Sequence, residues 1–401
     1  MKYKIEKTSK TSSDPYNGKN SASSASLESN FADTEYDPRF KDRARGMLLG
    51  LAIGDALGAP VEFLPAPSDY YIMTMKDKIA HFHKNHRLAP GAWTDDTSMA
   101  LCLADSLLAC GGYDSYDIMD KFHAWVYDGY RVCPGSPLDA GGQTLRALDD
   151  YELCPVVLKG TEKTTSAGNG AIMRLAPVII ANTFTDRPIV TLQQAYQRGA
   201  LVIDPGDEPG EYIDLSDIRP TLEMAALSAR ETHDSVAAIA VTEIFAATLY
   251  LALHGVSKHN IPALVLRFLT HPESDQFYLE HYDALFGRAI LSKDGHGLTN
   301  LGGYIVDSFT IAIWGLLHYP DFKSGMLAVI RLGGDTDTNA AIYGQLAGAY
   351  YGASSIPEEW VTGVAESTEL LRVADALLAM PACPILRTRF EDDPHFQPPE
   401  N

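Results

Sequence analysis

Three shortages narrow what this chain can be. It carries only five cysteines in 401 residues, an odd number with no CxxC spacing. That excludes a disulfide framework and a thiolate zinc module, and leaves Cys102, Cys110, Cys133, Cys154 and Cys383 to read as reduced, mostly core thiols. Basic residues are scarce, with 32 Lys and Arg against 52 Asp and Glu and a net charge of -20. Such a field repels polyanions, which argues against direct nucleic-acid binding and favours a basic protein partner. No uninterrupted apolar stretch reads as long enough to cross a membrane, and the first thirty residues lack the apolar run of a signal peptide, so no membrane is expected and the cytoplasmic compartment is.

What is present is apolar bulk in helical rhythm. Hydrophobic residues make up 46% of the chain, enough for a sizeable core. Residues 1–36 are rich in Ser, Asn, Asp and Lys and read as a flexible N-terminal extension. Residues 37–385 read as one domain with no internal linker, followed by a tail at 386–401. Apolar residues recur at helical spacing over 43–59, 97–110, 116–127, 141–149, 170–182, 190–202, 221–230, 234–253, 261–270, 303–317, 322–331, 337–351 and 366–379. Strand signals are few and short. The connections around 65–90, 154–168, 204–220 and 271–301 are long for a bundle, and loops of that length are usually functional.

Glycine interrupts two of these helices at every fourth position: Gly46, Gly50, Gly54 and Gly58 in one, Gly344, Gly348 and Gly352 in the other. Each costs a helix interior about 1 kcal/mol relative to alanine. A repeated cost of this kind is offset when small residues let two backbones approach closely, so the two helices are expected to be central and neighbours.

Two acidic clusters stand where helices begin: Thr94, Asp95, Asp96, Thr97 and Asp335, Thr336, Asp337, Thr338. Taken singly, each reads as a capping motif, with Thr94 as the cap of the first and acids at the positive helix end. Taken together, four carboxylates and several hydroxyls form the all-oxygen set that suits Mg²⁺ or Mn²⁺, provided the fold unites them. The second cluster adjoins a glycine-striped helix, which would hold it rigidly.

Six strings, in order, carry a resemblance: GMLLGLAIGDALGAPVEF at 46–63, WTDDTSMALCLADSL at 93–107, GNGAIMRLAP at 168–177, THDSVAAI at 232–239, GGYIVDSFTIAIW at 302–314 and GGDTDTNAAIYGQLAGAYYG at 333–352. The chain resembles the ADP-ribosylglycohydrolase family, of which the dinitrogenase reductase-activating glycohydrolase is typical, over roughly residues 42–380. The resemblance implies an all-α orthogonal multi-helix bundle with a dinuclear metal cleft holding two Mg²⁺ (or Mn²⁺). The implied reaction is hydrolysis of the glycosidic bond between ADP-ribose and a protein side chain. Arginine is the favoured acceptor, because GDALGAPVEF and WTDDTS resemble the arginine-specific branch.

Carried over residue by residue, the resemblance makes Thr94, Asp95, Asp96, Asp335, Asp337 and Thr338 the metal ligands, none of them substituted. Asp139 falls in the family's short Asp motif, with Leu138 in place of the usual aromatic, and is a candidate general base or stabiliser of an oxocarbenium-like transition state. Glu62 is the alternative carboxyl and touches a metal in some relatives; otherwise it is a surface acid near a proline turn. Gly168, Asn169 and Gly170 offer backbone N–H groups to a ribose or phosphate oxygen, or else only turn the chain. His233 resembles the family's histidine near the diphosphate or ribose, and Tyr304 the aromatic that stacks on adenine, with helix-start structure and core packing as the competing readings. Some bacterial relatives carry an N-terminal extension that occludes an ADP-ribosyltransferase toxin. Residues 1–36, with the acidic run Asp204, Asp207, Glu208, Glu211, Asp214 and Asp217, therefore raise an immunity role beside an ADP-ribosylated protein substrate.

Overall fold

Pro38 supplies the fixed φ that suits a first helical turn, and from it the apolar stripe of α1 (Pro38–Gly58) runs unbroken to the first glycine-rich turn. The computed structural model describes residues 38–64, 82–83, 86–136, 138–158, 167–183, 202–203, 213–214, 218–265, 277, 279–298 and 302–399. Expected features at 1–36 and at 190–201, and the acidic side chains of 204–217, lie outside the described residues.

The fold is mainly helical. After α1 come α2 (Asp95–Cys110), α3 (Ser115–Asp128), α4 (Gly142–Leu153), α5 (Ala176–Ala181), α6 (Arg219–Arg230), α7 (Val236–Leu253) and α8 (Ile261–Val265). They are followed by α9 (Arg288–Leu291), α10 (Ile305–His318), α11 (Phe322–Arg331), α12 (Thr336–Tyr351), α13 (Glu358–Val361) and α14 (Ser367–Leu378). Strands are two or three residues long, pairing Phe82–His83 with His86–Arg87, Val202–Ile203 with Ile213–Asp214, and Tyr113–Asp114 with Ile385–Arg387. All four tryptophans, Trp93, Trp125, Trp314 and Trp360, are buried, as are Cys102, Cys133 and Cys383.

The glycine stripes do what close approach requires. A Cβ added at Gly46 would stand 2.5 Å from the Gly348 carbonyl oxygen, and one at Gly50, Gly54 or Gly58 would come closer still to the oxygens of Gly344, Ala340 or Thr336. Helices α1 and α12 are therefore antiparallel and in backbone contact. The Thr336 hydroxyl donates to the Gly58 oxygen at 2.8 Å and pins the start of α12 to the end of α1.

Several expectations change. Helix α1 (counted from Pro38 to Val61) and α7 are long and apolar enough to cross a membrane by composition, contrary to the sequence reading; 94% and 83% of their apolar windows are buried inside the fold, as core helices require. The span 170–182 is a 3₁₀ turn at Asn169–Ala171 followed by α5, because Pro177 lacks the N–H that a continuous helix needs there. The connection 271–301 contains a π-turn at Asp283–Gly287 and helix α9, whose apolar side chains Leu285, Phe286 and Ala289 are buried although polar neighbours break their periodicity. The segment set apart as a tail is joined to the body: Ile385–Arg387 pairs in parallel with Tyr113–Asp114, and Arg389 Nε donates to buried Glu231 at 2.7 Å.

Candidate metal and glycosidic-bond site

The first acidic cluster begins with a cap that comes from elsewhere. Thr94 has no capping bond to its own helix. Instead Asp55, fully buried on α1, accepts from Thr94 N at 2.9 Å, Thr94 Oγ1 at 2.8 Å, Thr97 N at 3.1 Å and Thr97 Oγ1 at 2.7 Å. One carboxylate thus satisfies two of the orphan N–H groups at the start of α2, those of Thr94 and Thr97. The expectation that Thr94 is itself the cap is corrected. Its hydroxyl hydrogen is spent on Asp55, which leaves the oxygen's other lone pair as a donor toward a cation.

Asp96 stands next in line, fully buried, with neither carboxylate oxygen hydrogen-bonded among the described residues. Burial first, then the charges of Asp55, Asp95 and Asp335, push its carboxyl well above the usual carboxylate range. Asp337 behaves alike: burial, then Glu62, Asp335, Asp96 and Asp55, raise it strongly. Asp55 on α1 holds Thr94 and Thr97, and three residues on, a Cβ at Gly58 would stand 2.5 Å from the Asp337 backbone, so the end of α1 brings the two distant clusters together.

Backbone turns set the second half of the site. Gly333 and Gly334 both take positive φ, +75° and +77°, which only glycine adopts without strain, and deliver Asp335 to the start of α12. Phe63 N–H donates to the Gly334 oxygen at 2.7 Å, stitching the turn that carries Glu62 onto the turn that carries Asp335. Ligand atoms of Glu62, Asp335 and Asp337 consequently lie within 4.8 Å of one another. Thr338 is buried beside them, and its N–H donates to Asp337 Oδ1 at 2.9 Å.

The glycine–asparagine–glycine turn braces this arrangement. Asn169 Nδ2 donates to Asp335 Oδ2 at 2.7 Å and to Ser308 Oγ at 2.9 Å, while Asn169 N–H donates to the Gly303 oxygen at 2.8 Å. That backbone N–H is therefore committed within the protein. Gly168 and Gly170 serve close packing: a Cβ there would meet the His233 ring at 2.9 Å and 2.7 Å. His233 is buried, and Tyr304, bridged to Gly168 at the start of α10, is 42% exposed. Asp139 is half-buried and lines a narrow crevice with Trp93, Thr94, Asp95, Ser98, Trp125 and Leu138.

The residues fit a divalent cation. An all-oxygen donor set, a buried carboxylate with both oxygens unsatisfied, and carboxylates crowded with no cationic side chain hydrogen-bonded to Asp96, Asp335 or Asp337 among the described residues are what a bound cation would relieve. Sequence reasoning missed Asp55 and the bracing role of Asn169. An aspartate inside the otherwise apolar run Leu51–Leu57 is the signal that marked Asp55.

The profile of the ADP-ribosylglycohydrolase family matches residues 36–204 and 212–384. The chain is 33% identical over 336 residues to "ADP-ribosylarginine hydrolase Tri1" of Pseudomonas putida, covering 84% of this chain and 78% of that protein. It is 30% identical over 362 residues to "ADP-ribosyl-[dinitrogen reductase] glycohydrolase" of Rhodospirillum rubrum, covering 86% and 98%. A solved structure titled "ADP-ribosylglycohydrolase-related protein complex" superposes with a TM-score of 0.61 at 34% identity, over 86% of this chain and 99% of that one. The chain belongs to the ADP-ribosylglycohydrolase family.

Proposed function

We propose that this family member is a Mg²⁺- or Mn²⁺-dependent hydrolase that releases ADP-ribose from modified arginine side chains, with two cations held by Thr94, Asp95, Asp96, Asp335, Asp337 and Thr338. The observation that carries the reading is Asp96, buried with both oxygens unsatisfied at the point where the two clusters meet. The arginine acceptor is supported by the names of the similar hydrolases from Pseudomonas putida and Serratia proteamaculans.

When bound, divalent cations supply Lewis-acid polarisation of ribose oxygens and acidify water. The chain's own groups do the rest. Glu62 lies within the carboxylate cluster and joins the ligand set, which leaves Asp139, in the crevice beside Thr94 and Asp95, as the carboxyl that takes a proton from the attacking water. As the water oxygen bonds to the anomeric carbon, the bond to the guanidine nitrogen breaks, and the proton passes to the leaving group. Tyr304 offers an exposed ring face to adenine, and His233 a hydrogen bond to the ribose or diphosphate. Incubation with arginine-linked and serine-linked ADP-ribosylated proteins tests this. Release from the arginine linkage, abolished by chelator, is expected; release from neither substrate by folded, metal-loaded protein would overturn it.

A second reading concerns a partner. Residues 1–35 precede the family match, and the chain's charge of -20 suits a basic partner such as an ADP-ribosyltransferase toxin. Deleting residues 1–36 is expected to abolish toxin binding and spare hydrolysis; unchanged binding contradicts the occluding arm.

A further inference from the structure

Arg174 is fully buried in the helical core, and among the described residues no carboxylate is hydrogen-bonded to it. Its Nη1 donates to the Gly170 oxygen at 2.7 Å, and its Nη2 to the Ser228 oxygen at 2.9 Å and to Thr232 Oγ1 at 2.8 Å. The guanidinium also lies 5.0 Å over the Phe122 ring. Thr232 in turn stands 2.7 Å from His233 Nδ1, and its carbonyl accepts from Gln143 Nε2 at 3.0 Å. A buried cation, a hydroxyl and an imidazole are thus wired in series.

The direction of each bond in the series follows from donor chemistry. A guanidinium only donates, so Thr232 Oγ1 accepts from Arg174. The hydroxyl has one hydrogen, and among the described residues the acceptor remaining beside it is His233 Nδ1. The reverse bond, from Nδ1–H to the hydroxyl, would leave a buried hydroxyl hydrogen with no acceptor among the described residues, at a cost of about 1–3 kcal/mol. The ring proton therefore sits on Nε2.

We infer that Arg174 and Thr232 act as positioning residues that lock His233 as the neutral Nε2–H tautomer, so that the imidazole serves the ADP-ribose site only as a hydrogen-bond donor. The inference rests on the proposed hydrolase reading for the identity of the ligand, and on the hydrogen-bond series alone for the tautomer. Burial, with the charges of Arg174 and Arg146, lowers the imidazole to about 3, in keeping with a neutral ring. The donor edge has a defined place. Nε2 lies where a Cβ on Gly168 would meet it at 2.9 Å, so it abuts the turn whose Asn169 holds Asp335 at 2.7 Å. A donor there is rigidly tied to the acidic cluster. It selects an acceptor oxygen of the substrate, a ribose hydroxyl or a phosphate oxygen, and cannot withdraw a proton from it through Nε2.

Nitrogen-15 labelling of the full-length protein's histidines reads the tautomer directly. In two-bond proton–nitrogen spectra of the wild type at neutral pH, His233 is expected to show a pyridine-type Nδ1 and a pyrrole-type Nε2. Thr232→Ser, which keeps the hydroxyl, is expected to keep that pattern. Thr232→Val is expected to mix the tautomers and raise the Kd for ADP-ribose about twofold, as the donor-competent fraction falls by roughly half, while the Kd for Mn²⁺ stays unchanged. A wild-type spectrum with a protonated Nδ1 overturns the inference whatever the variants do. So does a folded Thr232→Val protein with the wild-type pattern and the wild-type ADP-ribose affinity. A wild-type protein that shows the Nε2–H pattern yet binds no ADP-ribose contradicts the hydrolase reading and leaves the tautomer lock standing.

Discussion

Gly58→Ala and Gly46→Ala place the same methyl group at opposite ends of one helix pair, with different expected consequences. Each substitution gains up to about 1 kcal/mol of helix propensity. Each also drives a Cβ into backbone, which cannot swing aside like a side chain: at Gly46 the obstacles are Gly348 O at 2.5 Å and Ala353 N at 2.6 Å, at Gly58 the Cα and N of Asp337, both at 2.5 Å. Ordinary contact begins near 3.4 Å, so the backbones must part by roughly 1 Å. Overpacking of that kind costs about 1–3 kcal/mol, and both variants are expected to melt a few degrees lower. Only Gly58→Ala moves Asp337, one of the proposed metal ligands. A 1 Å misplacement of a catalytic constellation costs on the order of 100-fold in rate, so this variant is expected to lose about that much kcat/KM and to bind Mn²⁺ more weakly. Gly46→Ala should keep both within about threefold. The assays are thermal melting, Mn²⁺ titration by calorimetry and ADP-ribose release. If the two variants melt alike and Gly58→Ala keeps wild-type Mn²⁺ affinity and rate, the helix pair does not position the site and the argument fails.

Three further outcomes are expected. Asn169→Ala removes the donor to Asp335 Oδ2, and Mn²⁺ affinity should fall about 10- to 100-fold with little change in melting; unchanged affinity would show that the brace is idle. Asp139→Asn should lower kcat about 10²- to 10⁴-fold while sparing Mn²⁺ binding, whereas Glu62→Gln should weaken Mn²⁺ binding itself, and the opposite split would exchange their roles. Burial lowers the His233 imidazole on folding from its ordinary 6.5 to about 3, so between those values the unfolded chain holds a proton that the folded one lacks. Stability should therefore rise with pH across that window by at most about 1.4 kcal/mol per pH unit from this group, and denaturant melts of His233→Asn should show a flatter dependence.

The helix pair was legible because close backbone approach leaves its mark in one dimension, as glycine at every fourth position. The union of the acidic clusters was legible because their donor types repeat. The capping of α2 was not, since the cap is Asp55, 39 residues before Thr94, and a capping rule looks only to neighbouring residues. Likewise the roles of Gly168 and Gly170 depend on a ring that arrives from residue 233, and no local pattern announces it. The helical turns at 283–291 escaped notice because Asp283, Gly287 and Arg288 interrupt the apolar rhythm, although Leu285 and Phe286 are fully buried. The apolar length of α1 and α7 suits a membrane by composition, yet 94% and 83% of those windows are buried in the core.

Asp96 and Asp335, brought together by the fold, are proposed to hold the cations on which hydrolysis depends. Mn²⁺ titration by electron paramagnetic resonance, run in parallel with release of ADP-ribose from arginine-modified protein, tests it most directly. The account predicts that the wild type binds two Mn²⁺ and releases ADP-ribose only when loaded, and that Asp335→Asn, still folded, loses both by 100-fold or more. Full release in the presence of chelator, or an Asp335→Asn protein that binds Mn²⁺ and turns over like the wild type, would contradict it.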